Sequence, residues 1–206
     1  MTTYQERPSK GGGWECAIVA SSGVEWRKLL PCKFTAENAA KVHARTKTQT
    51  RRLVRGEYRG VNTPPTGWEY PRWPVGTVLW IQEPWRVAKR YDDTKPTELP
   101  DFVPIDHGGT DAGGKLRPAM FLPLRFARTE RYFVTDVRVD RVNEISEADA
   151  RAEGCDGNCP VGYIPAHQAG PCRYHFAQLW DSIHSAPGAT WRDNPWVWVY
   201  TFKKIT

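Results

Sequence analysis

Long apolar runs are missing from this sequence. None of its 206 residues belongs to a run that approaches the roughly 18 apolar residues of a membrane-spanning helix. The opening residues, MTTYQERPSKGGGWEC, contain no apolar segment of the kind that a secretion signal carries. We therefore expect an intracellular, cytoplasmic protein without a membrane partner.

The sequence also has few cysteines and fewer acidic than basic residues. The five cysteines are an odd number, which in a reducing compartment favours free thiols or metal ligands over disulfides. The 29 lysines and arginines exceed the 23 acids, for a net charge of +6. This balance favours a polyanionic partner such as nucleic acid, although a soluble protein with surplus basic side chains would have the same charge. Ten tryptophans and 40% hydrophobic residues allow a real core and exclude a disordered chain.

Glycine and proline mark the organisation of the chain. Residues 1–13 form a Gly-rich segment that we interpret as a flexible leader, and residues 14–206 then form a single domain. Within that domain, turn-rich insertions are expected at about 56–74, 91–117 and 155–175.

The regular elements are predicted from hydrophobic periodicity. Strands are predicted in CAIVA, EWRKLLPC, VGTVLWIQEPWRV, RYFVTDVRVDRVNEI and PWVWVYTFKKI, and helices in TAENAAKVHART, SEADARAEG and FAQLWDSIH. We expect Pro84 at the end of a strand or on a bulge, and Ser146 with Asp149 as a capping box. Strands that close a small barrel, with helices packed against it, fit this order.

The stretch KVHARTKTQTRRLVRG carries the first candidate chemistry. Lys47 and Thr50 are three residues apart, so their side chains meet if the segment stays helical or forms a tight turn. A threonine hydroxyl becomes a nucleophile only when a base removes its proton, and a lysine is such a base when cationic neighbours depress its pKa. Glu153, at the end of the short helix, is a candidate acid for the leaving group. A plain basic loop after a helix explains the same residues.

Five segments in order give a resemblance: RTKTQTRRLV, VGTVLWIQEPW, RVNEISEADARAEG, FAQLWDSI and NPWVWVYTFKKI. Together they resemble the ASCH domain family, in the extended form often met in phage and prophage genomes. The match runs from about residue 34 to the C-terminus and is interrupted by the three insertions. It implies an α+β fold, with a small PUA-like β-barrel of mixed or antiparallel strands, flanking helices and a cleft suited to a nucleobase or an RNA segment.

The resemblance also implies an activity. Some compact members of the family are amidohydrolases that remove the acetyl group from N4-acetylcytidine with a Lys and a Thr from a Lys-Thr-x-Thr motif and a Glu from a later helix. That motif stands here at residues 47–50, so Lys47 matches the base, Thr50 the nucleophile and Glu153 the acid. Compact members are about half as long, and other ASCH proteins bind RNA or DNA or have been given nuclease activity. The alternatives are therefore a non-catalytic reader of modified or single-stranded RNA or DNA, a nuclease-like protein, and an adaptor that contacts a protein partner through the last insertion.

Further candidate residues would contact the nucleoside or nucleic acid. Arg45, Arg51 and Arg52 flank the motif, and Arg51 is also a candidate for holding an oxyanion. Glu83 either bonds a base edge or forms an ion pair with Arg51 or Arg52. The remaining candidates are Trp85, which would stack on a base or pack in the core, and Arg125 and Arg128, which would contact phosphates or form a solvated basic face.

The last insertion offers a metal site. Cys155, Cys159, Cys172 and His175 follow the pattern C-x3-C-x12-C-x2-H, and two close pairs are what a tetrahedral zinc ion requires. Four protein ligands leave no open position, so we expect one structural Zn²⁺ and no organic cofactor. The alternative is a disordered insertion with incidental thiols. The sequence does not indicate an oligomeric state.

Overall fold

A computed structural model describes residues 5–20, 23–54, 71–108, 113–155 and 170–205. The chain divides into two compact units. The first comprises Met1–His43, Gly76–Phe133 and Lys204–Thr206, and the second Ala44–Val75 and Val134–Lys203. Most of the predicted insertion at 56–74 lies outside the described residues.

The described residues form strands, three α-helices and short 3₁₀ turns. The strands are β1 (Glu6–Pro8), β2 (Trp14–Ala20), β3 (Gly23–Lys33), β4 (Gln49–Leu53), β5 (Val78–Gln82), β6 (Trp85–Arg86), β7 (Asp106–His107), β8 (Tyr132–Arg141) and β9 (Trp196–Lys204). The helices are α1 (Ala36–His43), α2 (Glu147–Ala152) and α3 (Pro171–Ile183). The 3₁₀ turns are Lys89–Tyr91, Pro96–Glu98, Ala119–Phe121, Leu124–Phe126 and Val142–Glu144.

The first unit is built on a mixed sheet with the strand order β1-β2-β3-β5-β8. β3 and β5 are parallel, and the other neighbouring pairs are antiparallel. All five residues of β5 are buried, because side chains on both faces of this central strand are covered. Pro84 follows directly after β5, as predicted, since proline cannot donate to a ladder. The edge strand β1 lies inside the predicted leader.

The core of the first unit joins the sheet to the irregular segment after β5. Its buried members are Cys16, Leu29, Val78, Trp80, Trp85, Val87, Leu99, Val103, Leu122 and Phe126. Part of the predicted insertion at 91–117 therefore belongs to this core. α1 begins after Thr35, whose hydroxyl accepts a hydrogen bond from the Asn38 N–H, and buries Ala39 and Val42.

The second unit has the strand order β8-β9-β4, with β4 antiparallel to β9. Strand alternation sends Val197 and Val199 of β9 into a core with α2 and α3. The other buried members of that core are Val142, Ile145, Ala150, Cys172, Phe176 and Trp180. Neither unit's strand order returns to its first strand, so the described strands of each unit form an open sheet.

The ends of α2 and α3 follow from capping chemistry. Ser146 caps α2 by accepting from the Asp149 N–H at 3.0 Å, as the capping box predicted, and Gly154 with φ +96° ends it. α3 begins at Pro171, five residues before the predicted start, inside the last predicted insertion. Its Gly170 N-cap has no side chain, and the Glu147 carboxylate accepts from the first N–H groups of α3 instead.

The predicted α+β class is confirmed, with a mixed and mostly antiparallel set of strand pairs and few helices. In the described part of the chain, no helix is long and apolar enough to cross a bilayer.

Candidate functional site

A buried ion pair in the second unit joins two of the three residues that the sequence singled out. The Lys47 Nζ donates to the backbone carbonyl of Glu153 at 2.8 Å and forms a short hydrogen bond to the Oε2 of the same residue. The two side chains are only 4% and 5% exposed. Two oppositely charged side chains that are 106 residues apart in sequence are thus buried together.

Arg51 contacts both Glu153 and a second acid, Asp149. Its Nη1 donates to the Glu153 Oε1 at 3.3 Å and its Nη2 to the Asp149 Oδ2 at 3.2 Å. The side chain is fully buried, and Gln49 bonds it at 2.6 Å while also donating to the Asp149 Oδ1 at 3.2 Å. Each acid therefore accepts from at least two side chains. We call Lys47, Gln49, Arg51, Asp149 and Glu153 the lysine–glutamate cluster.

Local structure explains why these side chains meet. Asp149 in the first turn of α2 and Glu153 at its C-cap are four residues apart, so they lie on one face of the helix. Gln49 and Arg51 alternate along β4 and share the face that α2 covers. The Thr48 N–H donates to the Ala152 carbonyl at 2.8 Å, which fixes the end of α2 against the start of β4.

Neighbouring positive charges favour the ionised carboxylate of Asp149. Partial burial raises the pKa of Asp149, but the charges of Arg138 and Arg51 outweigh it and hold that pKa below its ordinary value. The Arg138 Nη2 lies 2.8 Å from the Asp149 Oδ2. Partial burial lowers the pKa of Arg138, and its bonds with Asp140 and Asp149 more than reverse this and raise it. Asp149 thus lies between two cations.

Thr50 points to the opposite face of β4. It stands between Gln49 and Arg51, and successive side chains of a strand alternate between the two faces. Its cross-strand partner is Tyr200, whose ring packs edge-on against Trp73 at 4.9 Å between centroids. The structure therefore brings Lys47 and Glu153 into contact and places the buried Thr50 beside an aromatic pair.

The other basic candidates near the motif differ in their surroundings. Arg45 is exposed and has a left-handed backbone with φ 62°. Arg52 shares the face of Thr50, and its guanidinium lies 5.8 Å from the centre of the Trp73 ring. Of the three arginines proposed to flank the motif, only Arg51 belongs to the lysine–glutamate cluster.

Glu83 lies in the first unit and forms a second buried polar centre. Its Oε1 accepts from the Arg128 Nε at 2.8 Å, and imidazole nitrogens of His43 and His107 lie 3.4 Å away. Burial raises the pKa of Glu83, but His43 and Arg128 outweigh it and hold that pKa below its ordinary value. The described partners of Glu83 are thus these three side chains rather than the expected Arg51 or Arg52.

Trp85 and Arg125 have structural surroundings. Trp85 has no exposed surface and packs near Phe126, so its ring is covered by protein where a base would stack. Arg125 donates to the carbonyls of Pro96 and Leu99 at 3.0 and 3.1 Å and thereby ties down a loop. Arg128 remains 41% exposed beside Glu83.

Sequence reasoning missed several members of both polar centres. Asp149 had been assigned only a capping role, although its spacing of four from Glu153 was a visible signal. Gln49 was named only as part of the motif. Nothing in the local sequence of Arg138, His43 or His107 marks them, because their partners come from distant segments.

Two of the predicted zinc ligands are in direct contact. The Cys155 Sγ lies 3.7 Å from the His175 Nδ1, and the Cys172 Sγ lies 3.7 Å from the Cys155 carbonyl oxygen. The fourth predicted ligand, Cys159, is outside the described residues. Within the ranges that the structure describes, no set of three His, Cys, Asp or Glu side chains is already arranged around a metal ion.

No family model matches the sequence, and neither a curated protein nor a solved structure matches it.

Proposed function

We propose that this protein is an ASCH-type amidohydrolase that removes the acyl group from N4-acylated cytidine, as a nucleoside or within RNA or DNA. The observation that carries the proposal is the buried contact between Lys47 and Glu153, two residues that the resemblance had paired by role. The net charge of +6 supports a nucleic-acid partner. A PUA-like barrel is part of the proposal; the mixed and mostly antiparallel strand pairing is the kind that the resemblance implies, and the described strands of each unit form an open sheet.

One proton transfer would prepare the pair for hydrolysis. In the ion pair the proton is on Lys47, and Glu153 is a carboxylate. Moving that proton from Nζ to Oε2 gives a neutral amine and a carboxylic acid, which are the forms that a general base and a general acid need. Arg51, bonded to the other carboxylate oxygen, holds the acid in place during this exchange.

The reaction then follows in two stages. The Lys47 amine takes the proton of the Thr50 hydroxyl while the Thr50 oxygen bonds to the acyl carbon. The Glu153 acid protonates N4 as the carbon–nitrogen bond breaks, which releases cytidine and leaves an acyl-enzyme. Water then cleaves the ester, releases the carboxylic acid and restores the Thr50 hydroxyl. Because β4 turns Thr50 to the face opposite the lysine–glutamate cluster, this step requires a rearrangement that brings the Thr50 hydroxyl to the Lys47 amine, and the role of Thr50 is tested separately.

The test measures cytidine formed from N4-acetylcytidine by chromatography. Lys47→Met and Glu153→Gln are each expected to lower kcat/KM by about 10²- to 10⁴-fold, the usual contribution of a general base or acid. The acyl-enzyme is expected to be detected by mass spectrometry in the wild type and to be absent from Thr50→Val. Arg192→Met is the control, because Arg192 is exposed and outside the cluster. Folded wild-type protein that cleaves no N4-acylated cytosine, in nucleoside or oligonucleotide, would contradict the proposal.

A specific observation favours a second function, a non-catalytic reader of modified or single-stranded nucleic acid. Both oxygens of the Glu153 carboxylate are engaged by Lys47 and Arg51, and Thr50 occupies the other face of β4. In that case the ion pair is structural, and the ligand contacts the exposed Arg45 and the half-buried Arg52 rather than the buried Thr50 and Trp73.

Binding of labelled single-stranded RNA and DNA, followed by fluorescence anisotropy, tests this second function. Binding is expected to survive Thr50→Val and to weaken with salt along a log–log slope of about −0.7 for each phosphate contact. An affinity that does not change with salt concentration would count against it.

A further inference from the structure

Three side chains of the first unit converge on a single oxygen of Glu83, a residue that the proposed reaction does not use. The Glu83 Oε1 accepts from the Arg128 Nε at 2.8 Å. The Nε2 of His43 and the Nδ1 of His107 each lie 3.4 Å from the same oxygen. The carboxylate is 3% exposed, and the two histidines are 14% and 15% exposed. We call these four residues the histidine–glutamate centre.

The histidine–glutamate centre joins segments that are far apart in the sequence. His43 is the last residue of α1, and His107 is the last residue of β7. Glu83 directly follows β5, and Arg128 comes two residues after the 3₁₀ turn Leu124–Phe126. The centre is therefore a cross-link made by the fold of the first unit, and a change in its charge acts on all four segments.

The two imidazole contacts depend on charge more than on direction. Both nitrogens that face Glu83 are buried, and neither makes an aligned hydrogen bond with a group in the described part of the chain. Their distance of 3.4 Å from the carboxylate oxygen is longer than the usual 2.7–3.2 Å of an N–H···O bond. The strength of such a contact changes when the imidazole gains a proton.

The centre has one negative charge for three groups that can be positive. Arg128 already compensates the carboxylate of Glu83, so a proton on either histidine adds a positive charge in excess. The two imidazole nitrogens are at most twice 3.4 Å apart, because both lie at that distance from one oxygen. At that separation a positive charge on one ring disfavours a proton on the other.

The surrounding groups favour a neutral His107. The charged or titratable groups that act on the two imidazoles are Glu83, Arg128, Asp106, Glu130, the Tyr132 hydroxyl, and Lys204 beside Glu130. Burial lowers the pKa of His107, and the charges of Arg128 and His43 lower it further. The charges of Glu83 and Asp106 oppose this only in part.

β7 is the weakest of the segments that meet at the centre. It has two residues, and in the described part of the chain it pairs with β6 alone. β6 is anchored, because its Trp85 has no exposed surface. β7 is held by this pairing, by the Gly108 N–H that donates to the Pro84 carbonyl at 3.0 Å, and by His107. An isolated two-stranded ribbon is marginally stable, so the contact between His107 and Glu83 contributes appreciably to holding β7.

We propose that the histidine–glutamate centre is a proton-controlled latch, which is closed while His107 is neutral and releases β7 when His107 takes up a proton. His107 binds a proton more weakly in the closed form, so the latch has its full stability above the ordinary histidine pKa of about 6.5. That stability is lost as the pH falls from this value to the lower pKa of the closed form. The proposal stands apart from the proposed function, because opening is measured without any substrate.

Amide hydrogen exchange of the full chain, followed by NMR from pH 7.5 to 5, tests the proposal. After correction for the intrinsic exchange rate, protection of the Gly108 amide should fall below pH 6.5 by up to about tenfold per pH unit, the effect of one linked proton. The Phe34 amide, which donates to the Gln82 carbonyl at 2.9 Å in the same unit, is the reference and should keep its protection. An equal loss at both amides would indicate unfolding of the whole unit and contradict a latch.

Variants assign the proton to His107. His107→Gln should remove the pH dependence at Gly108, and His43→Gln should weaken it because one repelling charge is lost. His184→Gln is the matched control, since His184 lies in the second unit against the Trp180 ring. Circular dichroism checks that each variant is folded.

The wild-type protein gives a second measurement that needs no variant. The imidazole resonances of His107 should titrate with a pKa below 6.5, over the same pH range in which Gly108 loses protection. Gly108 protection that stays constant over this range, a wild-type pH dependence in His107→Gln, or a His107 pKa at or above 6.5 would each overturn the proposal.

Discussion

Arg51→Met is the most informative change in the second unit. The substitution keeps the length and much of the volume of the side chain but removes a guanidinium that has no exposed surface. Asp149 and Glu153 each lose one charged donor, at 3.2 and 3.3 Å. Methionine offers neither acid a replacement.

The magnitude follows from what remains around each acid. Removing one partner of a buried ion pair costs about 3–5 kcal/mol, because a charge is left without compensation. Glu153 keeps Lys47, and the partly exposed Asp149 keeps Arg138, so we expect the lower end, about 3 kcal/mol. For a chain of this size that corresponds to a fall in Tm of about 6–12 °C.

Urea unfolding followed by tryptophan fluorescence measures this change, and Arg52→Met is the matched control. Arg52 is the next residue of β4 and faces Trp73, where a cation–π contact is worth about 0.5–1 kcal/mol. The double variant Arg51→Met/Glu153→Gln should lose less free energy of unfolding than the sum of the two single changes. We expect the difference to be about 0.5–3 kcal/mol, because the second change neutralises the acid that the first leaves without its partner. An Arg51→Met cost no larger than that of Arg52→Met, or strict additivity in the cycle, would refute the reasoning.

Three further predictions concern pH and backbone geometry. The pKa of Asp149 is depressed in the folded state, so its stabilising contribution is complete above the ordinary aspartate pKa of about 3.9 and is lost as the pH falls through the folded value. Asp149→Asn should therefore reduce the loss of stability at acid pH, measured as urea unfolding midpoints from pH 6 to 2. The same loss in the variant and the wild type would contradict this. Burial lowers the pKa of His107, and the charge of Glu83 partly offsets it; Glu83→Gln should therefore lower the His107 pKa further in an NMR titration, whereas a rise would be inconsistent with the described contact. Gly170→Ala should cost about 1–3 kcal/mol, because φ is +91° and a Cβ would overlap the Glu147 carboxylate; a neutral effect in thermal unfolding would show that the turn adapts.

Local sequence signals predicted several of the described strands and all three described helices, but not β4, where a helical continuation or a tight turn was expected. The alternating pattern from residue 131 corresponds to β8, the capping box at Ser146 begins α2, and Pro84 follows the end of β5. Each of these depends on residues within a few positions of one another, so the chain carries the information locally. The start of α3 was missed because its cap is the side chain of Glu147, which comes from another helix.

The candidate site was likewise predicted only in part. The roles of Lys47, Thr50 and Glu153 came from a motif, and the roles remain a prediction. The structure adds that Lys47 and Glu153 form one buried pair and that β4 turns Thr50 the other way. It also adds Asp149, whose part in the cluster depends on Arg51 and on α2 packing against β4.

The sequence by itself determined the α+β class, most of the strands and helices, and the residue types available for chemistry. These follow from periodicity, capping residues and prolines, which act over one or two turns of chain. Only the tertiary structure decided which opposite charges meet: Lys47 with Glu153 in one unit, and the buried Glu83 with Arg128 in the other. Burying a charge is costly unless an opposite charge meets it, and that meeting is set by the packing of distant segments.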